Sequence, residues 1–145
     1  MKCALAVLLL AAGCASSDST SNAPGIDVSL TQVSSGARDL FYMSGPINLQ
    51  YGLTVRNPTN EPLTLRRLNL ETMSAGAYAL HTGSQTVNQP IAPGGETVFR
   101  FATWGHARGG YLRAEEPVTI RGTAQFEEPN GHKFQRVFTQ TISQF

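Results

Sequence analysis

The sequence predicts an all-β protein, a single antiparallel β-sandwich of about seven strands, and three observations predict it. Apolar and polar residues alternate with a period of two through most of the chain beyond residue 26. Gly, Pro and Asn interrupt that alternation roughly every 10–15 residues. Helical periodicity is missing: residues 70–78 come nearest to it, and Gly76 spoils the pattern. Short alternating strands joined by frequent turns bury one face each by packing sheet on sheet. The immunoglobulin and fibronectin type III sandwiches are the architectures that match.

The elements follow in order. Residues 26–31 place Ile26, Val28 and Leu30 on one face, and residues 37–42 are a weaker strand. Residues 47–56 are the best strand, with an apolar residue at every second position. Asn57-Pro58-Thr59-Asn60-Glu61-Pro62 stops it, because the prolines cannot donate to a ladder and the asparagines can bond their own backbone. Leu63, Leu65, Leu68 and Leu70 then resume with a break of phase at Arg66-Arg67, where a bulge keeps all four on one face. Residues 78–81 form a short strand, 87–93 an irregular connection, Gly94-Gly95 a turn and 96–101 a strand. The last pair spans 118–126 and 133–139, joined at Glu128-Pro129-Asn130-Gly131 by a type I turn with Gly131 left-handed. Residues 26–145 thus suffice for one domain with one core, without repeat or second domain.

The N-terminus is of another kind. Lys2 precedes an apolar run over residues 4–12, then Gly13 and Cys14. A basic start, a short apolar stretch and small residues at the cut make a secretory signal. The run is well short of the roughly 20 apolar residues that a membrane span needs. Leu10-Ala11-Ala12-Gly13-Cys14 resembles the lipobox of bacterial lipoproteins, although the preferred leucine three places before the cysteine is Ala11 here. The resemblance implies that residues 1–13 are removed and that Cys14 carries the lipid. Residues 14–25 then form a polar, serine-rich tether. By resemblance to the sorting rule of enteric bacteria, in which an Asp after the cysteine holds a lipoprotein at the inner membrane, Ala15 implies the periplasmic face of a Gram-negative outer membrane.

Composition narrows the chemistry. The two cysteines are Cys3, lost with the signal, and Cys14, so the mature domain has no disulfide and no thiol nucleophile. Without Lys2, ten basic residues face ten acidic ones, and this neutrality offers nothing to nucleic acid. A Gly-x-Ser-x-Gly elbow is absent, and Ser35-Gly36 and Ser44-Gly45 are turn pairs. His81, His106 and His132 do not stand at metal-ligand spacing, so no metal or other cofactor is expected. Glu115-Glu116 and Glu127-Glu128 are neighbours that a strand sends to opposite faces, so they make no acid–base pair and no catalytic residue is assigned. Glycines between 105 and 110 offer an anion cradle in outline, but no helix start follows. The candidate site is a Gly-rich binding loop bearing Trp104, His106, Arg108, Tyr111 and Arg113, residue types that dominate binding hot spots. The competing place for Trp104 is the core at a strand end.

Two stretches carry a family resemblance. The alternating strand ending in Val55-Arg56-Asn57-Pro58-Thr59-Asn60 leads directly into Leu63-Thr64-Leu65-Arg66-Arg67-Leu68-Asn69-Leu70. Further on comes Ile91-Ala92-Pro93-Gly94-Gly95-Glu96-Thr97-Val98-Phe99. This resembles the late embryogenesis abundant type 2 family, the water stress and hypersensitive response domain, across most of residues 26–145; residues 103–117 depart from it. The resemblance implies a small β-sandwich, bacterial lipoprotein members and a stress-protective, chaperone-like role without catalytic residues. The alternative is an envelope interaction module that holds a specific protein partner through the 104–113 loop or a strand edge. An enzyme is a distant third reading.

Overall fold

The structure is a computed structural model and describes residues 25–34, 44–109 and 116–143. The signal, Cys14, the tether and the weak strand at 37–42 lie outside the described residues. Eight strands form: β1 (Asp27–Ser34), β2 (Ser44–Arg56), β3 (Leu63–Ser74), β4 (Tyr78–Leu80), β5 (Gly83–Ile91), β6 (Glu96–Arg108), β7 (Val118–Glu127) and β8 (Lys133–Ile142). They make two antiparallel four-stranded sheets, ordered β1-β2-β6-β4 and β5-β3-β7-β8. The all-β sandwich expected from the alternation is present, with eight strands rather than about seven. No helix among the described residues is long and apolar enough to cross a membrane.

The alternation decides which face is buried. In β2, Ile47, Leu49, Tyr51, Leu53 and Val55 face inward, and in β7 Val118, Ile120, Ala124 and Phe126 meet them from the opposite sheet. Together with the β3 leucines they form one core between the sheets. Burying each of the Val, Leu, Ile and Phe side chains contributes about 1.5–3 kcal/mol. The bulge at Arg66 is where the phase break placed it: the register of β3 slips between Leu65 and Arg67 against both neighbours. Leu63, Leu65, Leu68 and Leu70 are all buried as a result. Arg66 itself points outward and donates to Glu127 at 2.9 Å and to Asn88 Oδ1 at 3.0 Å, tying β3 to β7 and β5.

Residues 70–78 hold no helix, in line with the missing helical periodicity; they are the end of β3 and a connection into β4. Two elements differ from the sequence expectation. The stretch 87–93 is mostly strand, because β5 runs to Ile91 and pairs with β3 along its length. Pro90 is tolerated because β5 is an edge strand. Most consequential for the site, β6 runs on to Arg108 instead of ending near Phe101.

Two turns form as their chemistry dictates. Asn57, fully buried, accepts from Thr59 N at 3.0 Å and donates to the carbonyls of Glu61 and Ala92 at 2.8 and 3.2 Å. At the β7–β8 hairpin Gly131 has φ 84° and its N–H donates to Glu128 O at 2.9 Å.

Inside the core, β1, β2 and β4 contribute a polar chain. Tyr51 donates to the Tyr78 hydroxyl at 2.7 Å, and Tyr78 donates to Gln32 Oε1. Burial raises the pKa of both phenols; Tyr78, partly offset by the bond it accepts from Tyr51, is pushed up to about 12.

Candidate functional site

Trp104, His106 and Arg108 lie on β6, not in a loop. The glycines near them suggested a loop, but Gly105 serves a different purpose. A Cβ there would stand 2.8 Å from Ala79 O and 2.9 Å from Leu49 Cδ1. The bare backbone therefore lets β4 close on β6, and Gly105 is packing rather than an anion cradle. Tyr111 and Arg113 lie outside the described residues.

With β6 extended, its even-numbered residues share the outer face of the sheet. Trp104 is 57% exposed, which settles its place: it is outside the core. His106 and Arg108 stand beyond it on the same face, both exposed. Their cross-strand neighbours on β2 are Asn48 opposite Trp104, Pro46 opposite His106 and Ser44 opposite Arg108. On the other side, Ala79 pairs with His106, and His81 N donates to Trp104 O at 3.0 Å. Asn48 is thus directly opposite Trp104, with Cβ atoms about 5 Å apart, and His81, one residue past β4, lines the same cleft as the indole.

In the sequence His81 is an isolated histidine and Asn48 carries no signal. Nothing in local spacing marks either residue, because the register of three strands brings them to Trp104. Arg108 is the least available of the predicted set: its Nη1 donates to Ala75 O at 2.7 Å and its N–H to Ala77 O at 3.0 Å. It holds the β3–β4 connection in place.

Beside Trp104 the sandwich is open. A cleft of about 270 Å³ enters between the sheets, with Leu68, Leu70 and Phe101 at its floor and Gln85, Thr103 and Trp104 at its rim. A second patch on the same outer face consists of Val33 and Val98, 51% and 53% exposed, which approach Gly52 from either side. The arrangement offers aromatic and apolar surface edged by amide and imidazole groups, suited to contact with another molecule. The other histidine, His132, stands apart on the β7–β8 hairpin, 3.2 Å from Glu128. Among the described residues no group of three His, Cys, Asp or Glu is placed to hold a metal ion.

Comparison with known proteins yields no matching family model and no matching curated protein. Solved structures do match. An X-ray structure of a Northeast Structural Genomics Consortium target is 12% identical, with 82% of this chain and 85% of that one covered and a TM-score of 0.53. A crystal structure of an Archaeoglobus fulgidus protein is 10% identical over 80% and 92%, TM-score 0.48. The solution structure of a candidate late embryogenesis abundant protein is 10% identical over 81% and 71%, TM-score 0.45. At these identities the first match shows a common fold, and what the chain shares with it is the two-sheet sandwich.

Proposed function

We propose that the chain is a non-catalytic lipoprotein of the late embryogenesis abundant type 2 kind, held by lipid on Cys14 and acting by contact with other polypeptides. The observation that carries the contact reading is Trp104, more than half exposed on an ordered strand and framed by His81 and Asn48. An aromatic ring of this size held in water on a rigid sheet is ready to bury its area without a large ordering cost. The family part of the reading rests on the Asn57-Pro58 turn and the Pro93-Gly94-Gly95-Glu96 approach. The role proposed is protection of other proteins during drying or cold.

The test is aggregation of an unrelated enzyme during drying or freezing, with and without the purified chain. Protection should exceed that of an equal mass of inert globular protein and should fall with Trp104→Ala. Equal protection by the inert protein sinks the role. A second reading, a specific envelope partner, is favoured by the concentration of Trp104, His81 and His106 at one place. It predicts one dominant crosslinked species, lost with Trp104→Ala. Trp104 alone is the better probe, because Arg108 also holds the β3–β4 connection.

A further inference from the structure

β6 is thirteen residues long, yet its neighbour on the side away from β2 is the three-residue β4. β4 pairs with Gly105, His106 and Ala107, and His81 extends the contact to Trp104. The chain then leaves for β5 in the other sheet. Between Glu96 and Thr103, no strand among the described residues pairs with that side of β6.

The register states which backbone groups are left open. Asn57 N donates to Gly95 O, so the odd-numbered residues of β6 bond toward β2. Arg108 N and Trp104 O bond toward the β4 side, so the even-numbered ones point the other way. The N–H and C=O groups of Val98, Arg100 and Ala102 therefore project along an edge that only another extended backbone can match in spacing.

The other edges carry the usual guards. β5 has Pro90 and a left-handed Asn88 with φ 56°. β1 has a bulge between Gln32 and Ser34. β8 carries Lys133 and Arg136. In contrast, β6 keeps an unbroken register with β2 from Glu96 to Ala102, with neither proline nor bulge. Below this edge the core is incompletely covered: Phe99 and, from β5, Val87 are half-buried, and Phe99 stacks on Phe101 at 5.6 Å. On the outer face Arg100 stands opposite Gly52, which offers no side chain, and has no ion-pair partner among the described residues.

We propose that this edge is a strand-addition site for an extended peptide segment of another protein. The segment continues the track of β4 along residues 96–102, sets alternate apolar side chains against Phe99 and Phe101, and places an acidic side chain beside Arg100. The proposal rests on the reading that the chain acts by contact with polypeptides, and names what is contacted. It is a different surface from the Trp104 row, so the two fail separately.

The experiment uses the full chain and labelled synthetic peptides of alternating Val and Thr with a central Glu, followed by fluorescence anisotropy and amide hydrogen exchange. Binding should slow exchange at Val98, Arg100 and Ala102. Val98→Pro removes one open N–H without touching the β2 ladder, and should weaken binding by about tenfold. If that variant does not fold, as judged by circular dichroism, Arg100→Glu carries the test: it should reverse the preference to a peptide with central Lys. Trp104→Ala should leave this binding in place even if the aggregation assay fails. Protection on β1, β5 or β8 instead overturns the site, as does no peptide binding or an unchanged peptide preference in Arg100→Glu. Protection that grows with protein concentration and no peptide assigns the edge to a second copy and overturns the occupant.

Discussion

Asn57 is buried without charge and makes bonds that no other side chain would reproduce. Its amide donates to two carbonyls and its oxygen accepts from Thr59 N and Oγ1, at 3.0 and 2.7 Å. Asn57→Ala should cost about 2–3 kcal/mol, read as a lower urea midpoint. Asn57→Asp should cost at least as much, because a carboxylate would face the carbonyls of Glu61 and Ala92. This residue was legible in the sequence, since an Asx turn is a matter of a few consecutive residues. The Tyr51–Tyr78 pair was not: the two are 27 residues apart and meet only once β2 and β4 are placed. They also set an alkaline limit. Tyr78 holds its proton to about 12 in the fold against 10.0 for a free phenol, so the unfolded chain ionises first. The stability contributed by the buried phenols should be full below pH 10 and fall as pH rises from 10 toward 12; urea midpoints measured across that range check it. Tyr78→Phe should make the fall shallower and leave the part due to Tyr51.

At the scale of elements, the strands with clean alternation were foreseeable and the two edges of that pattern were not. β2 alternates from Ile47 to Val55 with every inward position filled by a large apolar residue, β7 and β8 keep apolar anchors inward at Val118, Ile120, Phe126, Phe134 and Ile142, and the bulge in β3 followed from four leucines and one phase slip. β5 hides behind Pro90 and a half-polar inner face, which an edge strand accepts and a central strand does not. The far end of β6 hides behind Gly105, which reads locally as a loop residue and acts as a close-packing one. That role is testable. Gly105→Val would press on Ala79 O and Leu49 Cδ1, so it should cost about 1–3 kcal/mol and speed amide exchange at Arg108, whose bond to Ala77 depends on β4. A Val there that leaves both stability and exchange unchanged would mean β4 yields freely. The site itself was half legible: its residue types stood out, but their grouping is a product of register, which no spacing within β6 reveals.

For the whole molecule, the sandwich and the anchor rest on different kinds of information. The fold follows from period-two burial with one core, whereas the proposed attachment rests on the few residues around Cys14. A single acylated cysteine would tether the domain through a short polar linker, so Cys14→Ala should abolish membrane association in fractionation. A mutant that still sediments with membranes would mean that a protein partner or an uncleaved signal retains it. The formal neutrality of residues 14–145 predicts that the proposed association is insensitive to salt, unlike that of a basic peripheral protein.

Trp104 is the chain's one tryptophan, and its ring already stands in water in the folded state. The usual optical signal of unfolding, a shift of indole emission as a buried ring becomes wet, is therefore weak in this protein. Emission will respond to what touches the β6 face long before it responds to loss of the core. An emission transition that fails to coincide with circular dichroism should be read as a local event at that surface, and not as a folding intermediate.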